Sequence, residues 1–134
     1  MEQAVGSAEY SPLVLDHYRN PRNVGEVPGS PAVAQVGDPA HGDVLRLGLR
    51  IEDRRVVEAR FKSFGCTAAI AAGSMATLLV KGKTVDEAER LTNHDVARAL
   101  GGLPESKMHC SVLAQEAIRE ALRLWRRAVS EPAG

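Results

Sequence analysis

The sequence predicts an α+β fold in which helices cover one face of a small antiparallel sheet, and three observations carry that expectation. Residues 44–51 and 56–64 each alternate apolar with polar side chains at a period of two, the mark of half-buried strands. From residue 67 onward the apolar spacing is helical and is punctuated by glycines and capping residues. Strands therefore cluster early and helices late, which favours segregated layers over alternating βαβ units.

Taken in order, Ser11-Pro12 is a helix start, with serine as N-cap and proline at the first helical position. That helix carries Leu13, Val14 and Tyr18 and stops near Asn20-Pro21. A Gly/Pro-rich loop fills 25–31, and 33–37 forms a short strand. In the next two strands Leu45, Leu47, Leu49 and Ile51 share a face, as do Val57, Ala59 and Phe61; residues 52–55 link them as a hairpin loop. The charged faces should meet solvent and the apolar faces the helices.

Residues 67–81 are apolar almost all round and end at Gly82, so they predict a central buried helix. Thr84 and Glu87 form a capping box for a short helix to Leu91. Asn93 is expected to cap another through Leu100, closed by Gly101-Gly102. The final helix spans 108–128, with Leu113, Ala117, Ile118, Ala121, Leu122 and Trp125 on one face. Arg119, Arg123, Arg126 and Arg127 read as its solvated face.

The 134 residues suit a single domain, 1–134, with 1–8 and 130–134 as loose ends. Basic and acidic residues balance at 17 each, which leaves no overall electrostatic footprint for nucleic acid or for an anionic membrane. No signal peptide or spanning segment is legible, and two cysteines without export signals fit a reduced cytoplasmic thiol pair.

Metal-type side chains collect at element ends: His41 and Asp43 before the second strand, Cys66 after the third, and His109-Cys110 at the start of the last helix. If residues 52–55 form a four-residue loop, Asp43 lies opposite Phe64 and His41 opposite Cys66, within a slip of a residue or two. Helix N-termini favour thiolates, and Gly42 and Gly65 permit close approaches. Two thiolates, imidazoles and a carboxylate suit zinc or an iron–sulfur unit better than calcium or magnesium. Taken singly, a cysteine is more often an inert core residue and a loop histidine a solvated one. His17 and His94 stay in the solvated class. His109 and Cys110, being adjacent on a helix, should point about 100° apart and pair poorly as a hydrolytic dyad.

Residues 10–25, with Asn20-Pro21-Arg22-Asn23 and Gly25, together with the segments 61–71, 80–88 and 107–114, resemble the IscU/NifU iron–sulfur scaffold family in the same order. The resemblance implies a three-stranded sheet backed by helices. It implies a scaffold, not an enzyme, that receives sulfur from a cysteine desulfurase, assembles a transient [2Fe-2S] cluster and passes it to acceptor proteins. Asp43, Cys66, His109 and Cys110 would be site residues, Cys110 the first sulfur acceptor, and zinc a substitute occupant. Cluster ligands would be Cys66 and Cys110 with His41 or His109, and Asp43 a weaker metal ligand.

Two departures stand out. Ala40-His41-Gly42-Asp43 replaces the family's Ala-Cys-Gly-Asp, exchanging a thiolate for an imidazole that cannot carry a persulfide. Such mixed ligation raises a cluster's reduction potential. Residues 103–107 differ in the middle from the Leu-Pro-Pro-Val-Lys tract offered to a dedicated Hsp70-type chaperone, so that partner is not implied here. A second reading follows, in which the chain binds zinc and accepts sulfur or regulates the desulfurase without building clusters.

Overall fold

Three strands form one antiparallel sheet in the order β1-β2-β3: β1 Ala32–Asp38, β2 Asp43–Glu52 and β3 Arg55–Phe64. A computed structural model describes residues 10–131 of the chain. The helices are α1 Pro12–Arg19, α2 Thr67–Val80, α3 Val85–Glu89, α4 Asn93–Ala99 and α5 Met108–Ala128. Single 3-10 turns at Pro39–His41 and Glu105–Lys107 precede β2 and α5. Residues 1–8 lie outside the described residues.

The sheet's inner face carries Ala32, Ala34, Leu45, Leu47, Leu49, Ala59 and Phe61, all nearly inaccessible and packed beneath α2 and α5. Burying one such leucine stabilises the fold by about 1.5–3 kcal/mol. The opposite face shows Arg46 and Lys62 to solvent, while Val27 of the preceding loop closes over Gly48. α2 is buried because it is Ala/Gly/Ser-rich: its small side chains let the helix settle on the sheet, and a Cβ at Gly73 would meet the Phe61 ring at 2.6 Å.

The hairpin differs from the expected one. Glu52 pairs with Arg55, so the loop is two residues, Asp53 and Arg54, both left-handed with φ of 52° and 59°. Positive φ at both positions is the type I′ pattern, whose twist matches the strands. A bulge then shifts the register between Arg50 and Ile51, leaving Val57 without an opposite number. The extra residue reverses the parity of the strand: Val56 is fully buried and Val57 exposed, the opposite of the expected placement. Val44 consequently faces Phe64, one position from the anticipated register.

Ser11 caps α1 as expected, accepting from Val14 N–H at 3.1 Å, and its hydroxyl donates to Leu100 O. The cap of α4 is Thr92, not Asn93: Thr92 and Asp95 form a reciprocal capping box, and Asn93 is the first helical residue. Two further expectations are corrected. His17 is buried, with Nδ1 2.7 Å from Ser74 Oγ, which also accepts from Arg22 N–H at 2.9 Å. Arg126 is buried rather than solvated, paired with Asp86 at 3.0 Å, Glu89 at 3.1 Å and Glu131 at 3.2 Å. Glu131 also pairs with Arg54, so Ser130 and Glu131 are tied to the fold and not a loose end.

Candidate metal centre

Three separated stretches of chain converge at one end of the sheet. Asp43 opens β2, Cys66 is the N-cap of α2 just beyond β3, and His109 and Cys110 sit in the first turn of α5. The hairpin juxtaposes the first two; α5, lying across β1 and β2, delivers the others. Gly42, left-handed at φ 92°, turns the chain from the 3-10 helix into β2. Gly65 is required by space, since a Cβ there would lie 2.5 Å from Asp43 Oδ1 and 3.0 Å from the Ala69 methyl.

The sulfurs of Cys66 and Cys110 are 3.7 Å apart, in contact and unbridged. Asp43 Oδ2 accepts from His109 Nε2 at 3.0 Å, and Asp43 Oδ1 from Cys66 N–H at 3.3 Å. The same His109 nitrogen is 3.6 Å from Cys110 Sγ, which corrects the expectation that these neighbours pair poorly. Donor atoms of Asp43, His109 and Cys110 lie within 4.8 Å of one another, and the Cys66 sulfur adjoins that of Cys110. The backbone of His41 ends the 3-10 turn directly before Gly42 and Asp43, while its side chain lies outside the described part of the structure.

The two thiols are not equivalent. Cys66 is half-buried, whereas Cys110 is 1% exposed, so the more accessible thiol is not Cys110, the sulfur acceptor that the resemblance implies. Cys66 is pulled down to about 5 by the Cys110 S–H donating to it, against the cost of burial, with help from the Ala69 N–H at the start of α2. Cys110 is pushed far above the ordinary thiol range by its hydrogen bond to Cys66, by its own burial and by the negative charge of Cys66. The two sulfurs thus share one proton, and the deeper burial of Cys110 favours the negative charge on Cys66. Lys107, unmarked in the sequence reading as a site residue, lowers both thiols through its charge. Its place two residues before His109 was the available signal.

Beside these groups opens a cavity of about 310 Å³ lined by Gly37, Asp38, Asp43, His109 and Val112, with Glu116 at its side. Asp43 and His109 face this cavity, and the sulfurs of Cys110 and Cys66 adjoin them, so soft sulfur, imidazole nitrogen and a hard carboxylate form a donor set able to hold zinc or iron.

Residues 9–131 match the family model for the NifU-like N terminal domain. The chain belongs to this family. Among its relatives, the iron-sulfur cluster assembly scaffold protein IscU 1 of Archaeoglobus fulgidus is 50% identical over 113 residues, 84% of this chain and 74% of that protein. The iron-sulfur cluster assembly scaffold protein IscU of Escherichia coli K12 is 47% identical over 117 residues, 84% of this chain and 91% of the relative. In fold, this NifU-like domain is similar to the crystal structure of the N-terminal part of a nitrogen-fixing NifU-like protein from Brucella abortus. That match has a TM-score of 0.57 at 22% identity and covers 91% of this chain and 90% of the other. The expected three-stranded sheet backed by helices is thereby the family's architecture as well as this chain's.

Proposed function

We propose that this NifU-like domain is a scaffold on which an iron–sulfur cluster is assembled, from sulfur delivered by a cysteine desulfurase, and from which it is passed to acceptor proteins. The observation that carries the reading is the pair of unbridged thiols in contact at 3.7 Å, with the Asp43 carboxylate and the His109 imidazole against them. Iron and sulfide are cargo, so turnover by the chain itself forms no part of the proposal.

Sulfur enters by thiolate attack on the outer sulfur of a donor persulfide: a new S–S bond forms and the donor cysteine leaves as thiolate. The half-buried, ionised Cys66, the more accessible of the two thiols, supports entry there. Cys110, the acceptor by family resemblance, lies close enough to take the sulfur onward in a second exchange: its thiol gives up its proton and attacks the outer sulfur, and Cys66 leaves as a thiolate that can take that proton. Cys66, Cys110 and His109 would then hold iron, with His41 as a fourth donor, and Asp43 as a hard, weaker ligand would ease release. A cytoplasmic, reducing compartment fits two free thiols in contact, and no described helix is long and apolar enough to cross a membrane.

Anaerobic incubation with ferrous iron, cysteine, a desulfurase and a thiol reductant, which supplies the electrons that turn persulfide sulfur into sulfide, should give visible absorption bands of a [2Fe-2S] cluster, lost in Cys66→Ala and Cys110→Ala. A colourless product that retains one zinc would overturn the scaffold reading. It would favour the second one, a zinc-binding sulfur acceptor or desulfurase regulator, which the compact Asp43–His109–Cys110 donor set supports. Rescue of the colour by His41→Cys would trace the loss to the exchanged ligand.

A further inference from the structure

β1 is an edge strand, and among the described residues no backbone hydrogen bond reaches its outer side. Edges of this kind are normally guarded by charges, prolines or a covering segment. From Ala32 to Gly37 the strand has neither charge nor proline, and Asp38 comes only at its end. One face of α5 overlooks this edge across two clefts. Gly37 and Asp38 share a cavity with the start of α5, while Gln35 and Val36 share the adjoining cleft with Glu116, Arg119, Glu120 and Arg123. The helix therefore runs antiparallel to β1 and flanks its free edge with a charged stripe.

The order of charge along that stripe is Glu116, Arg119, Glu120, Arg123. Turned end for end, it reads as its own complement: Arg123 falls opposite Glu116, and Glu120 opposite Arg119. Arg123 already holds Glu120 within the chain, but Glu116 and Arg119 have no ion-pair partner among the described residues. A surface that is complementary to itself under a two-fold rotation is the requirement for an isologous dimer.

We propose that a second copy of this chain docks on the β1 edge, β1 pairing antiparallel with its own copy about Gln35 and the two α5 stripes meeting Glu116 to Arg123 and Arg119 to Glu120. Parity of side-chain direction fits a centre on one residue, because opposed residues in an antiparallel pair must point to the same face. The outcome is a six-stranded sheet with α5 and its copy side by side on one face. The metal-type side chains lie toward the Asp38 end of β1, so the two centres fall at opposite ends of the dimer and neither mouth is covered by the pairing. Backbone bonds supply the contact; the charges select register and partner.

The test is sedimentation of the full chain in reductant as a function of concentration, with charge-reversed variants whose folding is checked by circular dichroism. Wild type should move from the 14.4 kDa monomer toward twice that mass. Arg119→Glu/Arg123→Glu and Glu116→Arg/Glu120→Arg, each alone, should dimerise at least about tenfold more weakly. Mixed in equal amounts, the two variants should form a heterodimer. A wild type that stays monomeric at the highest soluble concentration overturns the proposal. So does a dimer indifferent to both reversals, or a mixture that fails to pair. Cluster loading is not read in any arm, so failure here leaves the scaffold reading untouched, and the reverse holds.

Discussion

Single side chains decide the chemistry at the centre. The contact between Cys66 and Cys110 concentrates one negative charge on the more exposed sulfur, and reactivity follows charge. Iodoacetamide at pH 6 should alkylate Cys66 first, with a rate that falls to half near pH 5; peptide mapping by mass spectrometry reads the site. Modification of Cys110 first, or a midpoint near that of an ordinary thiol, would refute the assignment. That Asp43, Cys66, His109 and Cys110 come together was legible in the sequence because these metal-type residues stand at the ends of elements. The order of the two thiols was not, since it depends on which sulfur α5 covers. His17 and Arg126 were misjudged for a related reason. Each stands at a helix position whose face is set by a distant partner, Ser74 in one case and Asp86, Glu89 and Glu131 in the other.

Among elements, local chemistry was the better guide. The caps of α1 and α3, the end of α2 shortly before Gly82 and the extent of α5 could all be read from neighbouring residues. Two neighbours competed for the cap of α4, and Thr92 prevails because Asp95 stands at the position that closes a reciprocal box. Thr92→Ala should therefore cost about 1 kcal/mol in denaturant unfolding, while Asn93→Ala should cost only a few tenths. Equal losses would return the cap to Asn93. The hairpin shows where pattern reading stops. Val56 and Val57 are both apolar, so alternation alone does not tell which faces inward, and a bulge one residue long reverses the answer. Arg54 accepts a left-handed backbone, unusual for its type, because its side chain is held by Asp86 and Glu131 and lies 6.0 Å from the Trp125 ring centre.

At the scale of the molecule, stability should depend on pH through His17. Burial disfavours its charged form, and the nearby Arg22 adds to the effect, so its folded pKa lies below the ordinary 6.5. In the window just below 6.5 the unfolded chain binds the proton and the folded one does not, so stability rises with pH there. The contribution is complete above about 6.5 and is lost as the pH falls toward the folded value. Urea midpoints should drop between pH 7.5 and 5.5 in wild type, and His17→Gln should flatten that slope; an unchanged slope would exclude His17 as its source.

The chain contains a single tryptophan, Trp125, seated beside Arg54 at the far end of α5 from Cys110. Fifteen helical residues separate the two, about 22 Å at 1.5 Å per residue. Its fluorescence is consequently a gauge of the hairpin tip and the carboxyl end of the helix, and an ion bound among the thiols is too distant to quench it by touch. A shift in emission colour during loading would mean that the opposite pole of the protein had moved.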